Sequence, residues 1–328
     1  MGTQISANYD NVQVITTADL WTIHSATSHV SKEKVCLWVI DVQKLKERYK
    51  KKAVRFRYLD VIISSLQQMR KYRHPRILKI LEIAEKKPEI GFSSEPFDKS
   101  ISSQISDLHP MDVAYISYQV AEVLAFLGNE ARIVHLGISP PAILLDDQLS
   151  IKLTHFEWCS PIDSQGKVTP SQTYDQFYDE FSDNYAKAPE MLKKGSNITY
   201  EADIFLFGMF VYEAFTGHKF YDSDDPDTIL TTIATKHAQI KGESKIPADF
   251  LPLLDACLNP DPTERPSITA VLQHPAYQSM QLKSLRYIDI MLTKNPSDKF
   301  AFYKGLSKKI DEFSPSIQRI KLLPTLVN

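Results

Sequence analysis

Short apolar runs separated by polar turns fill the first hundred residues, and longer runs with a period of three to four take over after residue 110. The early runs predict strands at 12–15, 20–24 and 35–42, a helix at about 54–72, then strands at 77–84 and 89–94. The later ones predict helices at 111–127, 203–216, 226–236 and 251–257. Between them, residues 156–188 have few apolar runs and many acids, which predicts an exposed loop segment. Past Pro275, apolar residues recur at steps of three and four through Leu282, Leu285, Ile288 and Leu292, then Phe300, Tyr303, Leu306 and Ile310, then Ile317, Ile320 and Leu323. That spacing predicts amphipathic helices. Strands first and helices afterwards make an α+β chain.

Motifs placed on this pattern define it further. Residues 133–145 read I-V-H-L-G-I-S-P-P-A-I-L-L, and 151–157 read I-K-L-T-H-F-E. Ala188-Pro189-Glu190 follows, then Asp203 with Gly208 five residues on, then Cys257-Leu258 ahead of Asp261-Pro262-Thr263-Glu264-Arg265-Pro266. In order and spacing these five resemble the catalytic loop, the D-F-G segment, A-P-E and the closing C-lobe motifs of the protein-kinase superfamily. The resemblance implies a bilobal fold, mainly β in the N-lobe and mainly α in the C-lobe, with Ser94-Glu95-Pro96 as the hinge. It divides the chain into an N-terminal arm (1–8), an N-lobe (9–96), a C-lobe (97–280) and a helical extension (281–328).

The positions that would move a phosphate are replaced. Phosphoryl transfer depends on Mg²⁺, a phosphate-holding lysine and a carboxylate that orients the nucleophile. By alignment, Gly137 stands at the base, Ser139 at the neighbouring lysine, Ala142 at the metal-binding asparagine, His155 at the D-F-G aspartate and Glu157 at its glycine. An imidazole is a poor ligand for a hard, oxygen-seeking cation. Trp38 takes the place of the ATP-binding lysine, and Ser65 that of the glutamate that would pair with it. No glycine lies between Gly2 and Gly91, so a phosphate-cradling loop has no residue without a Cβ. These residues predict a chain without ATP, Mg²⁺ or another metal, and without phosphotransfer. A nucleotide-sensing switch is the alternative, since an apolar adenine pocket could outlast its phosphate site; a divergent kinase using Asp146, Asp147 or Glu157 is the enzymatic one.

What remains is structural. The resemblance gives His135 and Phe156 a place in the stack that ties the catalytic loop to the N-lobe helix. Asp203 would accept hydrogen bonds from the catalytic-loop backbone, and Glu190 and Arg265 would form a buried ion pair.

The tail narrows the family. Residues 302–306 (F-Y-K-G-L) and 318–324 (Q-R-I-K-L-L-P) are similar to the segment that leads from the kinase-like domain into HEAT-type repeats in the SCY-like family of pseudokinases. An aromatic at the lysine position followed by Val-Ile-Asp, and R-H-P-R-I-L at 73–78, are similar to that family too. The catalytic-loop stretch 137–142 departs further from the kinase pattern than the family would suggest. The resemblance implies a protein-binding scaffold in membrane traffic, touching coat or adaptor proteins at Golgi or endosomal membranes.

Composition and charge add partners and compartment. With 43% apolar residues in 328, the chain can fill two cores. It has no run of about 18 apolar residues and no signal-peptide core, which predicts a cytoplasmic protein. Cys36, Cys159 and Cys257 lie far apart among apolar neighbours, as reduced thiols do. Residues 1–96 carry 17 Lys and Arg against 10 Asp and Glu, 97–280 carry 12 against 26, and 281–328 carry 9 against 4. The basic excess around Lys50, Lys51 and Lys52 could meet anionic lipid or an acidic partner, or be a solvated linker and helix face. Nothing points to nucleic acid. Met1-Gly2 with Ser6 fits a myristoylation pattern. Phe177-x-Asp179-x-Phe181 matches the F-x-D-x-F form taken by clathrin-adaptor appendage domains, with packing against the C-lobe as the alternative.

Overall fold

The computed structural model describes residues 8–193 and 195–327, so the proposed acyl site at Gly2 lies outside the described residues. Five antiparallel strands form the first sheet: β1 (Tyr9–Ala18), β2 (Trp21–Ser28), β3 (Lys34–Ile40), β4 (Ile80–Lys86) and β5 (Glu89–Ser94), in the spatial order β1-β2-β3-β5-β4. Side chains alternate across a strand, and β3 uses both faces. Val35 and Leu37 pack outward with Ala26, whereas Cys36, Trp38 and Ile40 point into the main core. Helices α1 (Val42–Arg48) and α2 (Lys52–Lys71) fill the interval between β3 and β4.

The C-lobe is built on α3 (Pro110–Ala125) and α6 (Glu201–Thr216), the latter apolar on nearly every face because other helices surround it. Gly208 permits one of those contacts, since a Cβ there would lie 2.9 Å from Leu258 Cγ. Around them lie α4 (Gln172–Phe181), α5 (Pro189–Leu192), α7 (Pro226–Gln239), α8 (Leu251–Cys257) and α9 (Ile268–Gln273). The tail adds α10 (Met280–Asp289), α11 (Pro296–Leu306) and a last helical stretch from Pro315 to Val327 with a π turn at Gln318–Leu322.

Two expectations are corrected and one is made more specific. β4 starts at Ile80 rather than Ile77, because Ile77 bridges Leu153 and the Leu78 N–H donates to the Leu153 carbonyl (3.1 Å), tying the two lobes together. The basic stretch after Asp41 is partly helical: Asp41 caps α1 by accepting from the N–H groups of Gln43 (2.9 Å) and Lys44 (3.0 Å). Part of the 156–188 interval is helix α4, not exposed loop. Tyr174, Phe177, Tyr178 and Phe181 recur at helical spacing and face the core, and Ser171 caps the helix through the Tyr174 N–H (3.2 Å).

The tail packs onto the C-lobe. Leu282, Leu285, Leu306, Phe313, Ile317 and Leu322 join the main core. Their polar counterpart is a cluster at Asp289, which accepts from the Tyr115 hydroxyl (2.8 Å) and pairs with Lys321 (2.6 Å) and Arg76 (3.4 Å). Buried Asp112 accepts from the Ser314 and Ser316 hydroxyls. Among the described residues, no helix is long and apolar enough to cross a membrane.

Candidate functional site

Between the lobes, β3 and β5 set Trp38 directly opposite Phe92. The indole stacks on Phe92 (5.1 Å, 14°) and Phe97 (5.1 Å, 28°), meets Trp21 edge-on at 6.2 Å, and keeps 6% of its surface exposed. Its N–H donates to the Ser94 hydroxyl at 3.0 Å, so the polar tip of a large apolar group is satisfied. A side chain placed where the resemblance expects a charge thus forms part of the core.

Ser65 on α2 has the matching change. Its buried hydroxyl accepts from the Phe156 N–H at 3.0 Å, joining α2 to the segment at the D-F-G position by a neutral bond instead of an ion pair. Where a glycine-rich loop would lie, β1 and β2 meet in a tight turn with Asp19 at φ +52°, and Asp19 forms a bidentate pair with Arg48 of α1. A carboxylate and guanidinium therefore close the edge of the cleft.

The degenerate catalytic loop is packed and hydrogen-bonded. The His135 Nδ1 accepts from the Gly137 N–H (3.2 Å), which leaves Nε2 to donate to the Thr154 carbonyl (3.0 Å). Burial pushes this imidazole's pKa down to about 3, so it stays neutral, and it meets Phe156 edge-on at 4.8 Å. A Cβ on Gly137 would lie 3.3 Å from the His155 carbonyl, which makes this position tight for any side chain. Ser139 donates to the Gly137 carbonyl (3.3 Å), and the Ala142 carbonyl accepts from Thr154 twice. His155, at φ +65°, is exposed, with Nδ1 2.8 Å from the Thr154 hydroxyl. Among the described residues no three His, Cys, Asp or Glu side chains group to hold a metal.

The structural residues meet as expected. Asp203 accepts from the N–H groups of His135 (2.6 Å) and Leu136 (2.7 Å); burial raises its pKa to about 6 against the pull of those two donors. Arg265, its side chain fully buried, forms a bidentate pair with Glu190 (2.7 and 2.9 Å), donates to the carbonyls of Asn259 and Glu201, and lies over the Phe205 ring at 4.7 Å. Such a pair is held by the hydrogen bonds around it, and removal of one partner strands the other charge.

The predicted partner-binding residues fare differently. Phe177 and Phe181 lie one helical turn apart on α4, both partly buried against the core, and Phe181 meets Tyr49 (5.6 Å) and Tyr58 (5.3 Å). Asp179, between them, pairs with buried Lys187 (3.0 Å). An appendage-binding peptide would have to be extended with both rings free, and a helix whose rings are packed presents neither; the F-x-D-x-F assignment is corrected accordingly. Lys50, Lys51 and Lys52 are exposed at the start of α2, where Lys51 occupies the N-cap position without a side-chain cap.

The cluster formed by Tyr49, Tyr58 and Phe181 was not foreseen. The helical repeat in 174–181 was its only local signal. These rings help to wall a cavity of about 820 Å³ between α2, α4 and the degenerate loop.

Comparison with known proteins agrees with this geometry. Residues 22–277 match the protein kinase domain family. The chain is 23% identical over 335 residues to SCY1-like protein 2 of Mus musculus, covering 94% of this chain and 36% of that one. It is 22% identical over 360 residues to the protein kinase-like protein SCY1 of Saccharomyces cerevisiae, covering 95% and 44%. It is 21% identical over 313 residues to a Dictyostelium discoideum protein named "Probable inactive serine/threonine-protein kinase scy1", covering 94% and 35%. The chain thus spans less than half the length of these relatives. The match over most of the chain, and the names of these relatives, place it in the protein-kinase superfamily, within its SCY-like family of pseudokinases.

Proposed function

We propose that this chain is a catalytically inactive kinase fold that serves as a protein-binding scaffold in intracellular membrane traffic. The observation that carries the inactive reading is Trp38, whose indole fills the place of a phosphate-holding cation and is bonded into the core at Ser94. Gly137 supplies no carboxylate base, and Ala142 and His155 supply no oxygen ligands for Mg²⁺, so the electrostatic terms that lower a phosphoryl-transfer barrier are missing together. ATP and Mg²⁺ are not part of its function in this reading.

The scaffold role extends the kinship with SCY-like proteins. Its partners would be coat or adaptor components at the cytoplasmic face of Golgi or endosomal membranes, and its tail would lead toward a HEAT-type repeat. Exposed Lys50, Lys51 and Lys52 would offer a basic contact for an acidic partner or an anionic lipid surface.

Labelled ATP with generic protein substrates tests the first part. Incorporation should equal the blank, and ATP with or without Mg²⁺ should leave the melting temperature unchanged. Incorporation abolished by Glu157→Gln or Asp146→Asn would establish a divergent kinase, whereas a melting shift without incorporation would establish a nucleotide sensor.

A further inference from the structure

The cavity between the lobes opens beside the degenerate loop, with Leu78 and Leu144 among its lining residues. Its walls include Trp38, Phe92 and residues of α2 and α4, but not the hinge residues Ser94, Glu95 and Pro96. At about 820 Å³ it lies within the roughly 300–1,000 Å³ usual for small-molecule sites. Trp21, Tyr58, Trp158 and Phe181 contribute aromatic surface to it.

The charges along this wall are mostly negative. Asp19, Glu157 and Asp183 line the cavity with a single guanidinium, Arg48, and Arg48 is committed to Asp19. Asp183 accepts from the Tyr185 hydroxyl at 2.6 Å, a neutral partner that leaves its charge in place. Glu157 is half-buried and has no hydrogen-bond or ion-pair partner among the described residues. Burial first, and then the nearby carboxylates of Asp19 and Glu157, raise the Tyr58 phenol far above its ordinary pKa against the pull of Arg48.

A triphosphate entering here would meet two uncompensated carboxylates. An organic cation would gain from both features, because ring faces attract positive charge and a half-buried, unpaired carboxylate gains most from a counter-ion. We propose that this cavity binds a small organic cation, an ammonium or amidinium group on a flat apolar body, with Glu157 as counter-ion, Asp183 as the second carboxylate, and Tyr58, Trp158 and Phe181 as apolar walls. The site requires neither catalysis nor a partner protein, so it stands or falls separately from the scaffold reading.

Fluorescence titration with 9-aminoacridinium, matched against the anion 9-acridinecarboxylate on the same ring system, isolates the sign of the charge. The full chain should bind the cation at least about tenfold more tightly, the effect of one charge-assisted contact. Glu157→Gln should lower cation affinity about tenfold and leave the anion no weaker, and Asp183→Asn should act in the same direction. Glu264→Gln, an exposed carboxylate in the closing C-lobe motif and not among the residues that line the cavity, should change nothing. Equal binding of the two dyes by the wild-type chain overturns the proposal without recourse to any variant. So does an equal loss in Glu264→Gln, which would mean that the dye reads net charge rather than this cavity.

Discussion

At the scale of single residues, the same alignment assigns opposite fates to Arg265 and His155. Arg265 has no exposed side-chain surface and anchors Glu190, three backbone carbonyls and the face of Phe205. Arg265→Ala should therefore destabilise the protein by roughly 3 to 5 kcal/mol, because Glu190 would keep a buried charge with no partner. His155 is exposed, sits in a left-handed conformation that aspartate tolerates, and bonds only to its neighbour Thr154. His155→Asp should change stability by about 0.5 kcal/mol or less. Chemical denaturation of both variants checks the contrast, and equal small effects would contradict the anchor. Both assignments could be read from the motifs, since the A-P-E and final arginine motifs keep their residues while the D-F-G motif loses its aspartate. The destination of Ser65 could not be read, because a hydroxyl has many possible partners and only the approach of α2 to Phe156 selects one.

Among the elements, α4 departs most from expectation. Its acids suggest solvent, yet its aromatic stripe at positions i, i+3, i+4 and i+7 is what buries it. Tyr178 is the centre of that face, stacked on Tyr174 (4.3 Å), edge-on to Trp158 (5.0 Å) and capped by the Lys187 ammonium (4.7 Å). Ser64 and Arg57 on α2 reach Thr173 and Glu180 on α4, so the two helices are held by polar as well as apolar contacts. Replacing a buried aromatic by alanine typically costs about 3 to 5 kcal/mol. Tyr178→Ala should spend that loss locally, and amide exchange in residues 172–181 should accelerate by at least about a hundredfold relative to α6. Fast exchange of these amides in the wild-type chain would show that α4 is not a fixed part of the fold.

For the whole molecule, the Asp289 cluster decides whether the tail belongs to the folded unit. Lys321 keeps 5% of its side chain exposed and Asp289 keeps 20%, and between them they join the end of the chain to Tyr115 and to Arg76 at the lobe boundary. Asp289→Ala should cost roughly 2 to 4 kcal/mol, below the range for a fully buried pair because Asp289 is partly hydrated. A double-mutant cycle with Lys321→Ala should give a coupling of about 1 to 3 kcal/mol, and independent effects would mean the tail merely rests on the C-lobe. The sequence by itself determined the superfamily, the lobe order and the replacement of the residues that would handle phosphate, since motif order and residue type are local properties written along the chain. Tertiary structure alone decided that Trp38 is bonded into a ring stack, that α4 rather than an open loop walls the cleft, and that the tail closes on Asp289. The physical reason is that these depend on pairs as distant as Trp38 with Ser94, Phe181 with Tyr49, and Lys321 with Asp289, whose meeting is set by packing that no local window of sequence contains.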